Sequence, residues 1–97
     1  MLQTDQYRWL SNYGSVPAEL PVTTGSILEA FQEVVQRDPD TTLVRYFDVP
    51  LSASTIDEIS DGLAVAMQQR GIQPGDRIGM YLQNVPQSMI ALLSAWK

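Results

Sequence analysis

Between positions 41 and 82 two β-rich runs stand on either side of one long helical period, and that order restricts the chain to a mixed α/β fold. The first run, T-T-L-V-R-Y-F at 41–47, is dense in β-branched and aromatic residues. The second, R-I-G-M-Y-L at 77–82, is apolar almost without a break from Ile78, as in a strand buried on both faces. Two such strands joined through a helix call for parallel pairing by a right-handed crossover. The expected fold class is therefore α/β, built on a right-handed βαβ unit with parallel strands.

Three helices are predicted from their starts. Ser26 and Glu29 form a capping box, followed by Leu28, Phe31 and Val35 on one face with Ile27 and Val34 beside them. That helix should run to about Arg37 and stop at Asp38-Pro39-Asp40. Thr55 and Glu58 make a second box, with Asp57, Glu58 and Asp61 in the first turns, where the helix dipole favours negative charge. Ile56, Ile59, Leu63 and Met67 would form its buried face, and Gly71 followed by Ile72 would close it. Gln73-Pro74-Gly75-Asp76 fits a type II turn. Asn84 and Gln87 suggest a third cap, for a last helix that reaches Trp96-Lys97 without Gly, Asn or Pro to close it. The unclosed end leads to the expectation that these residues open a longer protein. Asp48-Val49-Pro50 reads as a turn, and residues 51–54 as a short returning strand that Pro50 confines to an edge.

Residues 1–25 contain Gly14, Pro17, Pro21 and Gly25, which interrupt any helical period. They still carry Tyr7, Trp9, Leu10, Tyr13, Val16, Leu20 and Val22, so they are expected to form an extended arm lying on a folded body of residues 26–97. With 97 residues, 44% of them apolar, a chain buries roughly 60–65% of its unfolded surface in one modest core.

Composition removes several kinds of chemistry. Neither cysteine nor histidine occurs, so zinc sites of the Cys/His kind, a Ser-His-Asp triad and a cysteine nucleophile are excluded. A net charge of −5, with 6 basic against 11 acidic residues and no basic cluster, argues against nucleic-acid binding. The polar start M-L-Q-T-D-Q-Y-R-W-L does not match a signal-peptide core, and the longest apolar run, 89–93, is too short to span a bilayer. A cytoplasmic protein without a transmembrane segment is expected.

No residue stands out as a catalytic, cofactor-binding or metal-binding group. Gly71 and Gly75 do not form a phosphate loop, which needs a Gly-x-x-x-x-Gly-Lys-Ser/Thr or Gly-x-Gly-x-x-Gly pattern. Asp57 and Asp61 share a helix face, but carboxylates at a helix start are ordinary. Asp76 and Arg77 lie at the start of the second run, whereas ligands of open α/β sheets bind at the carboxyl ends, where Gln83 and Asn84 stand. Trp9 and Tyr13 read as packing residues of the arm, and Met67, Met80 and Met89 as core filler.

Residues 51–97 resemble the adenylate-forming, AMP-binding superfamily. The resemblance rests on Thr55-Ile56-Asp57-Glu58-Ile59, Ser60, Gly62-Leu63-Ala64, the 71–77 turn G-I-Q-P-G-D-R, Asn84-Val85-Pro86 and Ala95-Trp96-Lys97, in the family's order and spacing. Ile56 stands where the family often has an aromatic residue. Trp9-Leu10, Tyr13 and Val16-Pro17-Ala18-Glu19-Leu20 are similar to the opening segment of long- and medium-chain fatty acyl-CoA ligases. The resemblance implies the first part of a three-layer α/β/α N-terminal domain. It implies a parent ligase that uses ATP, Mg²⁺ and CoA to make an acyl-adenylate from a fatty acid and then a thioester. The family's phosphate loop, ribose-binding acid and mobile-domain lysine would all fall beyond position 97, so the fragment is expected to be inactive alone. Its partner would be the remainder of the parent chain, and a sheet cut short should self-associate through the arm or the exposed sheet. The other class left open is a stand-alone α/β module that binds a protein partner without catalysis.

Overall fold

The computed structural model describes residues 7–21 and 25–97; Val22, one of the arm's apolar positions, lies outside the described residues. A short 3-10 helix, Arg8–Asn12, comes first, followed by α1 (Ile27–Arg37), β1 (Thr42–Tyr46), β2 (Val49–Ser52), α2 (Ala53–Gln69) and α3 (Pro86–Trp96).

The start of α1 follows from its capping box. The Glu29 amide donates to Ser26 Oγ at 3.1 Å, and the Ser26 amide donates to the Glu29 carboxylate at 3.3 Å. Gly25, just before the cap, has φ 99°, a left-handed backbone conformation that favours glycine. The helix buries Phe31, with Leu28 and Val35 packed beside it, and ends with Asp38 as its C-cap.

β1 and β2 form an antiparallel hairpin in which Val44 faces Leu51, Arg45 faces Pro50 and Tyr46 faces Val49; the register is irregular between Thr42 and Val44. The two-residue turn places Phe47 and Asp48 at φ 46° and 64°, both left-handed, as a tight hairpin of this twist demands. Pro50 is accommodated because the sheet has two strands and both are edges.

The capping expectation for α2 is corrected by three residues. Ser52, not Thr55, caps the helix, and Ser52 Oγ accepts from the Thr55 amide at 3.2 Å. The antiparallel return sets this start: the Ala53 amide donates to the Thr41 carbonyl, and the Ser54 amide to the Pro39 carbonyl, each at 2.9 Å. The buried face differs as well. Ala53, Ile56, Ser60 and Ala64 are buried, whereas Ile59 and Leu63 are exposed. Small side chains let neighbouring elements approach this helix closely, and the larger Ile59 and Leu63 stay partly exposed. At its C-terminus α2 closes as expected. Gly71 has φ 93°, the Gly71 amide donates to the Gln68 carbonyl and the Ile72 amide to the Met67 carbonyl. The Gln73–Asp76 turn also forms, with Gly75 at φ 92° and the Asp76 amide donating to the Gln73 carbonyl at 3.0 Å.

Three further expectations are corrected. Residues 77–82 carry no regular secondary structure, and the described sheet is the antiparallel hairpin, so the right-handed βαβ unit with parallel strands is not formed. A strand exists through its ladder, and no backbone hydrogen bond joins 77–82 to either strand. Asn84 does not cap α3. Val85 is the N-cap without a side-chain bond, and Pro86 opens the helix, since its fixed φ suits the first helical position and holds Val85 extended. In the arm, the Tyr7 and Trp9 rings meet tilted at 56° with centroids 4.7 Å apart, but Trp9, Val16 and Leu20 stay exposed, Leu20 at 94%. The expected docking of these side chains onto the body is thus not observed.

The core is thin. Phe31, Ile56 and Leu93 form its buried centre, with Leu28, Val35, Leu43, Val44, Leu51 and Ile90 against it. The accessible surface is 8169 Å². A folded monomer of 10.8 kDa exposes roughly 5,500 Å².

The hairpin turn supplies a stability test. Phe47 and Asp48 both hold a backbone conformation that L-residues reach at a cost of roughly 1 kcal/mol or more each. Replacing Asp48 by glycine should therefore raise unfolding free energy by about 1 kcal/mol in urea titrations; a lowered midpoint would contradict the turn geometry.

Candidate functional site

The densest polar arrangement among the described residues is where the end of α3 meets the first half of α2. Asp57, Ser60 and Asp61 lie at i, i+3 and i+4 and so share one face of α2. Against that face the chain's single lysine, Lys97, places its ammonium 2.7 Å from Asp57 Oδ1, 2.6 Å from Asp61 Oδ1, 2.8 Å from Ser60 Oγ and 3.1 Å from the Asp57 carbonyl oxygen. Three N–H bonds thus serve four acceptors. Ser60, fully buried, donates its own hydroxyl to the Asp57 carbonyl at 2.9 Å, so both sides of that hydroxyl are satisfied. The ammonium also stands 5.7 Å from the centre of the Phe31 ring. One cation therefore touches all three helices.

The Lys97 side chain is 10% exposed, against 29% for Asp57 and 61% for Asp61. Burial alone would depress its pKa, but hydrogen bonds and charge from both aspartates outweigh that, and the pKa is raised. The amine stays protonated at neutral pH and serves as neither nucleophile nor base. With the helix starting at Ala53, Asp57 and Asp61 lie beyond the first turn, and their counter-charge is Lys97 rather than the helix dipole. The shared face of the aspartates was legible from their spacing. The contact with Lys97, 36 to 40 positions away, was missed. The one available signal was that a chain with a single lysine has few cations to place beside paired carboxylates.

The other singled-out residues are scattered. Asp76 accepts from the Gln73 amide at 2.8 Å and so closes its own turn. The Gln83 carbonyl accepts from Ser88 Oγ at 2.7 Å and from the Val85 amide at 2.8 Å. Asn84 edges a cleft of about 420 Å³ between β1 and α3, together with Val44, Tyr46, Met80, Met89 and Leu92. Met80 and Met89 are thus exposed cleft walls rather than core filler, and Met67 is half-buried. Trp9 and Tyr13 lie far along the chain from these features, exposed in and beside the 3-10 helix.

Comparison with known proteins then separates scaffold from chemistry. The family described as AMP-binding enzyme matches residues 31–97. The chain belongs to the AMP-binding enzyme family. Among its relatives, the long-chain-fatty-acid–CoA ligase of Bacillus subtilis is 31% identical over 89% of this chain and 16% of its own length. The medium/long-chain-fatty-acid–CoA ligase FadD6 of Mycobacterium tuberculosis is 29% identical over 79% of the chain and 13% of its own length. Bacitracin synthase 3 of Bacillus licheniformis is 27% identical over 100% of the chain and 2% of its own length. The chain thus spans about a sixth or less of these relatives. No solved structure matches it.

AMP-binding enzymes work on a nucleotide, so the groups here were tested against ATP, Mg²⁺ and CoA. They do not fit. Asp57 and Asp61, the paired carboxylates, already hold an ammonium that would repel a second cation. The two turn glycines at 71 and 75 are engaged in a helix C-cap and a tight turn. Among the described residues no group of three or more acidic side chains converges.

Lys97→Met should lower stability by about 2 kcal/mol, since it leaves Ser60 and Asp57 short of a donor. The raised pKa fixes the pH dependence. The contribution is complete below the unfolded lysine value and is lost as pH climbs through the higher folded value. The stability gap between wild type and Lys97→Met should therefore be flat through neutrality and close only above about pH 10.4. Equilibrium unfolding across that range measures it, and a gap that closes between neutrality and pH 9 would refute the assignment.

Proposed function

We propose that residues 1–97 are the opening scaffold of an ATP-dependent fatty acid–CoA ligase. Residues 1–25 form its arm, and residues 26–97 form the first part of a three-layer α/β/α domain that further polypeptide completes. The ligase would join a fatty acid carboxylate to the α-phosphate of ATP, releasing pyrophosphate. CoA thiol would then displace AMP to give the thioester. ATP, Mg²⁺ and CoA would be held by polypeptide other than this segment. The observation that carries the reading is the alignment with the B. subtilis fatty-acid–CoA ligase, which takes in 89% of this chain and so reaches into the arm as well as the family core. The Lys97 node supports the scaffold role, because its charged groups are spent on one another. No helix among the described residues is long and apolar enough to cross a membrane. The reading puts the ligase in the cytoplasm, where ATP and CoA are at hand.

The match to bacitracin synthase 3 over the whole chain favours a second reading, adenylation of an amino acid. ATP–pyrophosphate exchange separates the two. The 97-residue chain alone should give no exchange with any carboxylate. The full product of the gene that carries this sequence should exchange with medium- and long-chain fatty acids and not with amino acids. Amino-acid-dependent exchange would establish the second reading. Exchange by residues 1–97 alone would end the scaffold reading, and an inactive full product would favour a non-catalytic interaction module.

A further inference from the structure

We draw no further inference here: the strongest candidate, the apolar cleft of about 420 Å³ between β1 and α3, is an unpartnered face in a chain that spans a sixth or less of its relatives, and nothing in the structure shows what covers it.

Discussion

The relative placement of the three helices depends on one ammonium. Lys97 reaches back from the end of α3 to two carboxylates, a hydroxyl and a carbonyl on α2, and stands near the Phe31 ring of α1. Removing a lysine from water is expensive unless its donors are answered, and here each has an acceptor. The contact is directional, whereas the apolar core beneath it is only Phe31, Ile56 and Leu93 at its centre. Apolar area alone would hold the helices together but would specify their rotation weakly. Ser60 adds to that specification, since its buried hydroxyl satisfies a carbonyl of its own helix while it accepts from the lysine of another.

The same economy of apolar contact explains why α2 turns its small side chains inward. Ala53, Ser60 and Ala64 flank Ile56 on the buried stripe, so the helix can lie close to its neighbours. Its larger residues, Ile59, Leu63 and Val65, remain on exposed faces. Membership of the AMP-binding family gives these faces a meaning, because the relatives are several times longer than this chain. A helix apolar on more than one side is built to be covered on more than one side.

Features that act over three or four residues were legible in the sequence. The Ser26–Glu29 box, the stop at Asp38, the Gly71 closure and the Pro74-Gly75 turn all stand as their residues imply. The family was legible too, through short motifs in fixed order. Features set by distant partners were not. Thr55 has a good capping residue's chemistry, yet the cap went to Ser52 because the hairpin's return delivers the chain there with two backbone bonds to Thr41 and Pro39. Asn84 likewise lost to Pro86, whose ring decides φ before any side-chain bond can form. The Lys97 node combines groups that no local window contains.

The two β-rich runs make this division sharpest. Residues 42–46 become a strand because the Phe47-Asp48 turn brings Val49–Ser52 back beside them, and the partner is supplied by the next few residues. Residues 77–82 have stronger apolar continuity but are bounded by a turn on one side and a proline-led helix on the other, so no adjacent segment can fold back onto them. β-propensity describes how well a residue fits a sheet that already exists. A helix carries its hydrogen-bond partners within itself and forms wherever its ends are closed. A strand must borrow them, and for 77–82 the lender is not among residues 7–21 or 25–76. Whatever polypeptide supplies the missing ladder therefore determines this segment's structure, and the six residues alone do not.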